Sequence, residues 1–557
     1  MCGIFAILNN HYNNDTIKEN FDKGVKRGPE NSQIIQTNNV IMGFHRLAIN
    51  GYKDTKSNQP FKIDDIYLIC NGEIYNWKEL YNIINVKANS KSDCEIIIHL
   101  YKKYGIEQTL QMLDGVFAFV LYDTIKNKIF VARDTYGVRP LFIKEEPSDE
   151  MSAICLASEL KQLVGLDEKI NIKQFNPGTY SVYNINQLFT SCIIKEKVFS
   201  KPTSFPNNFS KKISENDLNF TCQKIRKSLI SAVVKRIDNT QREIACLLSG
   251  GLDSSLIAAL VNKYKNSHEK LSTWSIGMEG SEDLKYARIV ANHIGSDHHE
   301  IVVTESHFLS FIEKVIYDIE SYDTTTVRAS IGNWLISKYI AENSNCKVVF
   351  NGDGSDEVCG GYMYFHLAPD SIEFDKECRN LLNNIHYFDV LRSDRSISSH
   401  GLEARTPFLD KSFVETYLSI NPNIRNHNNM GKCEKYLLRR AFSGNNLLPE
   451  SVLWRTKEAF SDGVSSNKKP WYTVLQEHIQ NNIFKKDSDK FLNSQKEHYS
   501  LNTPDTYEKL HYRIIFESYY PGHSKLIPRF WMPNYTNAKD ASARTLDIYK
   551  TKKYMKK

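Results

Sequence analysis

No stretch of the 557 residues approaches the ~18–20 consecutive apolar residues that cross a bilayer, which argues against a helical membrane span. The spacing of a disulfide framework or a zinc cage is missing too. The 11 cysteines are odd in number, scattered, and contain no C-x-x-C pair. That fits reduced thiols in a cytoplasmic compartment, where Asn208-Phe209-Ser210 carries no expectation of glycosylation. Charge of one sign is lacking as well. The 71 Lys and Arg face 65 Asp and Glu, a net charge of +6, so no nucleic-acid or membrane partner is expected. The one dense basic run, Lys552, Lys553, Lys556 and Lys557, reads as a solvated tail. The start MCGIFAILNN has no basic region and soon turns polar, unlike a signal peptide. The phosphate-binding pattern G-x-x-x-x-G-K-[ST] does not occur, and neither do internal repeats or low-complexity tracts.

What is present is a folded composition, 41% hydrophobic and 11% aromatic, in a chain about twice the size at which one core stops growing. Two or more domains follow. Residues 1–200 read as β-rich, with short apolar runs at 4–8, 66–69, 116–121 and 129–131 between Gly, Asn and Asp turns, and a helix near 93–104. Residues 199–208, with Pro202 and Pro206 among Ser and Asn, read as a linker. Beyond it the rhythm alternates. Strands at 244–248, 271–276, 300–303 and 347–350 are interleaved with helices at 255–261 and 283–294, the second closed by Gly295. That alternation predicts a parallel α/β sheet, followed by a mostly helical stretch to about 525.

Cys2 precedes Gly3, and its small side chain should let an aminopeptidase remove Met1. The exposed α-amine, with a reference pKa near ~8, would then serve as base for the thiol of the same residue. Alone, Cys2 would read as an ordinary buried residue. Downstream stand Arg27-Gly28-Pro29-Glu30, His45-Arg46-Leu47-Ala48-Ile49, Asn71-Gly72-Glu73-Ile74-Tyr75-Asn76 and Ser92-Asp93-Cys94-Glu95. If Cys2 attacks an amide, the side-chain NH2 of Asn71 and the backbone N–H of Gly72 suit the oxyanion, each worth ~3 kcal/mol when preorganised. A plain hairpin turn is the competing reading of Asn71-Gly72.

The second constellation is Ser249-Gly250-Gly251-Leu252-Asp253-Ser254-Ser255, after a strand and opening a helix. The two glycines let backbone approach a phosphate, to which the new helix's N–H groups and the three serine hydroxyls can donate. Asp253 makes sense there as a Mg2+ ligand. Asn351-Gly352-Asp353-Gly354-Ser355-Asp356-Glu357 follows a later strand, and Asp356 is its candidate metal ligand. Lys457, in Trp454-Arg455-Thr456-Lys457-Glu458-Ala459-Phe460, is the cation expected on the phosphates as charge develops.

The first set of motifs resembles class II glutamine amidotransferases, and the Ser249 loop resembles the S-G-G-x-D-S motif of N-type ATP pyrophosphatases. Together with the C-terminal segments Ile527-Pro528-Arg529-Phe530-Trp531 and Ala538-Lys539-Asp540-Ala541-Ser542, the order resembles glutamine-hydrolysing asparagine synthetases of animal type. The resemblance implies an N-terminal-nucleophile α-β-β-α sandwich over 1–200, an ATP-pyrophosphatase α/β domain with a helical C-terminal part over 210–535, and a tail over 536–557. It implies Cys2, Asn71, Gly72, Asp353 and Lys457 as catalytic residues. Glutamine would be bound by Arg46, Leu47, Ala48, Ile49, Asn50, Asn71, Gly72, Glu73 and Asp93, with Arg46 on its carboxylate and Asp93 on its ammonium. ATP would be bound by Leu248, Ser249, Gly250, Gly251, Asp253, Ser254, Ser255, Ile276, Asn351, Gly352 and Lys457. The implied activity makes asparagine from aspartate, ATP and ammonia cut from glutamine, with Mg2+, an internal ammonia path, a cytoplasmic location and a homodimer as further expectations. The departures are Asn351 and Asp353, where the family reads Ser and Glu. A carboxylate displaced by ~1 Å there could slow the reaction about tenfold or more. An enzyme of the same architecture with another acceptor and a non-catalytic descendant are the alternatives. The intact cysteine constellation and tail speak against the first, and Cys2, Asp253 and Lys457 against the second.

Overall fold

The computed structural model describes residues 1–145, 153–166, 171–185, 191–203, 214–266, 269–458, 460–465, 469–485 and 489–551. Asn208, Ala459 and the basic run from Lys552 lie outside these residues. Two compact units emerge. One comprises Met1–Pro202, Asn239–Glu243 and Ser398–Glu403, the other Thr203–Asp238, Ile244–Ile397 and Ala404–Lys557.

The first unit holds β1 (Gly3–Leu8), β2 (Asn31–Thr37), β3 (Val40–Arg46), β4 (Phe61–Ile63), β5 (Ile66–Ile74), β6 (Gly115–Asp123), β7 (Lys128–Arg133), β8 (Phe142–Lys144), β9 (Ile154–Ala157), β10 (Ile172–Gln174), β11 (Thr179–Ile185) and β12 (Ser191–Val198). They form two six-stranded sheets, β10-β8-β9-β1-β3-β2 and β12-β11-β7-β6-β5-β4, antiparallel throughout. Strand period two sorts the side chains. Ile4, Ala6 and Leu8 of β1 and Val40, Met42 and Phe44 of β3 meet Ile69, Ala118, Val120 and Tyr122 between the sheets. The opposite face of the second sheet, with Leu68, Cys70, Phe117 and Phe119, packs on Leu80 and Ile84 of helix Trp77–Ile84 and Ile97 and Leu100 of helix Ile96–Met112. Each large aliphatic or aromatic side chain buried this way contributes roughly 1.5–3 kcal/mol. On the far face of the first sheet, Phe21 of helix Asn14–Asp22 lies 6.0 Å from Phe5 and stacks at 3.9 Å on His45. The layers are therefore helix, sheet, sheet, helix, the expected sandwich.

Two local differences matter. β5 runs on from the apolar run 66–69 through Asn71, Gly72 and Glu73, paired with Ala118, Phe117 and Val116. Asn71-Gly72 is thus strand interior and not a hairpin turn. The helix expected to end at 104 kinks at Gly105 (φ 77°) and resumes to Met112.

The second unit is built on β13 (Ile244–Leu247), β14 (Ser272–Gly277), β15 (Asp297–Val302), β16 (Val348–Phe350) and β17 (Glu403–Arg405, of which Ala404 and Arg405 belong to this unit), in the order β15-β14-β13-β16-β17. β13, β14, β15 and β16 pair in parallel, as the alternation predicts, though β15 begins before residue 300. Helix Leu252–Tyr264 follows β13, helix Glu282–Ile294 follows β14 and helix Thr324–Asn343 precedes β16. Ser281 caps the second by accepting from Leu284 N–H, and Gly295 ends it at φ 68°. The chain steps outward from β13 to β15 and then returns to β16 on the other side of β13. That reversal is a topological switch point, where α/β sheets open a crevice beyond the strand ends. The segment set apart as a tail packs within this unit: Asp540 pairs with Arg328 at 2.8 Å and Ser542 donates to Asp462 at 2.7 Å. No helix among the described residues is long and apolar enough to cross a membrane.

Candidate active sites

The first site forms at one end of β1 in the first unit. Cys2 leads into that strand. Its backbone N–H donates to Asn71 Oδ1 at 3.1 Å, its Sγ lies 3.5 Å from Leu47 O, and Arg27 Nε holds its carbonyl at 2.9 Å. Burial pushes the Cys2 thiol up to about 11, so it needs a base to become a nucleophile at neutral pH. Met1 precedes it, with its α-amine 3.1 Å from Glu403.

Asn71 is fully buried, and its Nδ2 finds no hydrogen-bond partner among the described residues. An unsatisfied buried amide N–H is costly unless something arrives to use it. β5 carries Gly72 next to it, where a Cβ would lie 2.7 Å from Val116 O. The expected donor pair is therefore held on a rigid strand.

The expected glutamine residues gather around a loop after β3. The Arg46 guanidinium donates to Asn58 Oδ1 at 2.6 Å, Gly51 O at 2.7 Å, Asn50 O at 3.1 Å and Asp54 O at 3.3 Å, which folds the loop. Leu47, Ala48 and Ile49 are buried; Glu30 accepts from Ala48 N–H at 2.6 Å. Asn50 donates to Glu73 Oε2 at 3.3 Å. Glu73 and Asp93 are both buried, and Asp93 accepts from Ile74 N–H at 2.7 Å. Sequence reasoning missed Asn239, Gln241 and Arg242, which join this unit from far along the chain. No local motif marks them.

The second site lies at the switch point in the second unit. Gly250 (φ 70°) turns so tightly that a Cβ would sit 2.4 Å from Ala287 N. Gly251 starts helix Leu252–Tyr264. Ser249 and Ser254 hydroxyls lie 2.9 Å apart, while Ser255 is fully buried in the helix. Gly352 brings the second loop onto the first: a Cβ there would be 2.8 Å from Ser254 N. Leu248, Ile276, Asp253, Asp353, Asp356 and Lys457 all line one cavity.

Its floor is a charge cluster. Lys435 Nζ lies 2.7 Å from both Asp253 oxygens and 2.6 Å from Asp356 Oδ1, and Lys457 Nζ lies 2.6 Å from Asp356 Oδ2 and 3.6 Å from Asp253. Burial alone would raise the Asp356 carboxyl, but Lys435 and Lys457 hold it well below the usual range. Burial opposes the Lys457 charge, yet Asp356 and Asp253 push its ammonium well above the ordinary lysine value. Lys435 was missed in the sequence. It sits at φ 57°, an uncommon conformation for a lysine that marks a constrained position.

Both departures find partners. Asn351 donates to Ser393 Oγ at 2.6 Å and its Oδ1 accepts from Asp353 N–H at 3.3 Å. Arg392 reaches Asp353 Oδ1 at 2.9 Å, while Asp353 Oδ2 is buried with no hydrogen-bond partner among the described residues. Beside them Tyr362 donates to Glu357, whose carboxyl burial and the Asp389 and Asp356 charges push well above its usual value.

A Mg2+ ion takes one or two carboxylates plus phosphate oxygens and water. Asp253 and Asp356 converge closely enough on Lys435 to provide that pair. Among the described residues no group of three or more His, Cys, Asp or Glu is arranged to hold a metal ion by itself.

Comparison with known proteins bears on both sites. A model described as a glutamine amidotransferase domain matches residues 1–205, and one described as asparagine synthase matches 224–377 and 368–513. The glutamine-hydrolysing asparagine synthetase of Bos taurus is 42% identical over 571 aligned positions, covering 99% of each chain. Those of Gallus gallus and Homo sapiens are 42% and 41% identical, again over 99% of each chain. The chain belongs to the asparagine synthetase family. In asparagine synthetase terms, the cysteine site falls within the matched amidotransferase region, and the charge cluster falls within the matched synthase region.

Proposed function

We propose that the chain makes L-asparagine from L-aspartate, using ATP and ammonia that it releases from L-glutamine. The observation that carries the reading is the unspent Asn71 Nδ2 beside Cys2 in a chain aligned end to end with synthetases of that name.

Once Met1 is removed, the Cys2 amine is the base nearest its own thiol. That amine stays beside Asn71 Oδ1, which orients it. The thiol adds to the glutamine side-chain amide, and the oxyanion takes the free Asn71 Nδ2–H and the Gly72 N–H. Ammonia leaves as the tetrahedral adduct collapses to a thioester, and water then releases glutamate. Arg46 takes the substrate carboxylate by giving up some of its loop acceptors, Asn58 Oδ1 and the carbonyls of Asn50, Gly51 and Asp54, and Glu73 with Asp93 takes the ammonium. Backbone groups of Leu47, Ala48, Ile49 and Asn50 shape the remainder of the pocket.

At the second site, ATP lies along Leu248 and Ile276, with its phosphates over Ser249, Gly251 and Ser254. Mg2+ held by Asp253 and Asp356 would neutralise phosphate charge. Lys457 and Lys435 stabilise the charge that develops as the aspartate side-chain carboxylate attacks the α-phosphate. Pyrophosphate leaves, β-aspartyl-AMP forms, and ammonia displaces AMP. Asp353, anchored by Arg392, is the carboxylate placed to position the reacting groups. Ammonium is not a nucleophile, so ammonia must arrive unprotonated. The cytoplasmic reading draws support from the cysteines whose side chains are described, each of them a free thiol. A homodimer accompanies the proposal by resemblance to the family.

The test is stoichiometry. Purified chain given aspartate, Mg-ATP and glutamine should yield asparagine, AMP and pyrophosphate in equal amounts. Glutamate without asparagine or AMP would mean that another acceptor is used or that Asp353 disables the second site.

A further inference from the structure

We infer that Asn239 is a positioning residue of the glutamine site, a neutral spacer between the two carboxylates that read the substrate's ammonium; this rests on the glutaminase reading above. Asn239 sits in Asn239–Glu243, a short segment of the first unit flanked in sequence by elements of the second. Its Nδ2 donates to Glu73 Oε2 at 2.7 Å and reaches Asp93 Oδ2 at 3.4 Å. Its Oδ1 accepts from the indole N–H of Trp77 at 2.9 Å. An indole nitrogen can only donate, so this contact fixes the orientation of the amide and turns its NH2 toward the carboxylates.

The chemistry of that choice is specific. A lysine between Glu73 and Asp93 would cancel the negative field that an incoming ammonium needs. A hydrophobic residue would remove the one amide that Glu73 and Asp93 share and raise the repulsion between two buried carboxylates, which keep Asn50 and Ile74 N–H as separate donors. An amide satisfies both oxygens and leaves their charge in place. The same segment also straps the substrate loop. Gln241 N–H donates to Ile49 O at 3.2 Å, and Gly51 N–H donates to Gln241 Oε1 at 3.0 Å. Arg242 donates to Ala48 O and to Glu30 Oε1, each at 2.9 Å, and Asn50 donates to Asn239 O at 3.4 Å. The ammonium pair and the loop therefore share one scaffold.

The experiment compares the full-length chain with Asn239→Ala and Asn239→Gln. Loss of a hydrogen bond to a charged group predicts a KM for glutamine raised about tenfold or more. The kcat should change less than about threefold and ammonia-driven asparagine synthesis less than about twofold, because neither depends on reading the glutamine ammonium. The second readout is covalent labelling of Cys2. The diazoketone analogue of glutamine carries the ammonium and should react about tenfold more slowly with the variants, while iodoacetamide, which lacks it, should react as before. Equal diazoketone rates in wild type and variant would overturn the inference. A parallel loss of iodoacetamide labelling and of the ammonia reaction would also overturn it, by showing a merely structural residue. Should Asn239→Ala fail to fold, Asn239→Gln keeps an amide displaced by one methylene, and the ratio of the two labelling rates decides. A wild type that neither hydrolyses glutamine nor reacts with the diazoketone would overturn the glutaminase reading and this inference together.

Discussion

The cysteine site and the phosphate site handle polarity in opposite ways. Around Cys2, the Arg27 guanidinium, the Asn71 amide and a backbone carbonyl hold the groups in place without a carboxylate–cation cluster, and one amide donor, Asn71 Nδ2, is left unspent. Around Asp253 and Asp356, four charged side chains satisfy one another through Lys435 and Lys457. Under the proposed function the first site is preorganised for a substrate on which an oxyanion develops during attack. Under the proposed function the second would exchange internal ion pairs for ligand: Lys435 and Lys457 would turn to phosphates, and Asp253 and Asp356 would be the carboxylates to hold Mg2+. One chain thus shows two solutions to burying polar chemistry, an orphan donor kept on a rigid strand and a closed charge cluster waiting to be opened.

The largest effect that would sharpen this contrast is at Lys457. Lys457→Met should lower asparagine synthesis about a thousandfold with either nitrogen source, since it removes transition-state charge stabilisation. Glutamate release, measured without ATP, should stay near wild type. Next is Asn71→Ala, expected to slow glutamine hydrolysis about 100- to 1,000-fold, the usual loss for one oxyanion donor, with ammonia-driven synthesis intact. Equal losses in both reactions would break the separation of the sites.

Much of this was legible in the sequence, and the reason is local. Each motif, Cys2-Gly3, Asn71-Gly72-Glu73 and the loop from Ser249 to Ser255, is a contiguous stretch whose residue types carry its chemistry, so each could be picked out without knowing what it packs against. The parallel sheet was legible because buried strands and helices alternate. What was not legible came from distance. Lys435 reaches Asp253 across 182 positions, and Asn239 reaches Glu73 across 166. Neither has a local pattern, because only the folded chain brings each to its partner. The extent of β5 was hidden for a different reason: Asn71 and Gly72 look like turn residues, and only pairing with β6 shows that they continue a strand.

A third comparison concerns the cluster itself. Lys435 is almost fully buried, so Lys435→Met should leave Asp253 and Asp356 under-neutralised and destabilise the fold by roughly 3–5 kcal/mol. If the cluster is built to be opened by a cation, Mg2+ should restore much of the lost melting temperature in this variant and little in wild type. No difference in Mg2+ response would count against Asp253 and Asp356 as a metal pair.

The smallest effect is one of pH. Burial, with a lesser contribution from Arg288, lowers His298 to about 4, and it contacts Thr273 and Ser275 as a neutral ring. Unfolding restores an ordinary value near ~6.5, so the unfolded chain binds the extra proton between those limits. The His298 contribution is therefore present above about pH 6.5 and lost as pH falls toward 4. His298→Gln should flatten the decline in denaturation midpoint between pH 7 and 5, and an unchanged slope would remove His298 from the account.

The most direct test of the central claim is to give wild type and Cys2→Ala either amide-15N glutamine or 15N-ammonium chloride, with aspartate and Mg-ATP, and to measure labelled asparagine and AMP. The account requires Cys2→Ala to lose the glutamine-driven reaction while keeping ammonia-driven synthesis within about twofold, with asparagine and AMP equal throughout. Loss of both reactions in Cys2→Ala, or AMP formed from ammonia and aspartate without labelled asparagine in wild type, would contradict it.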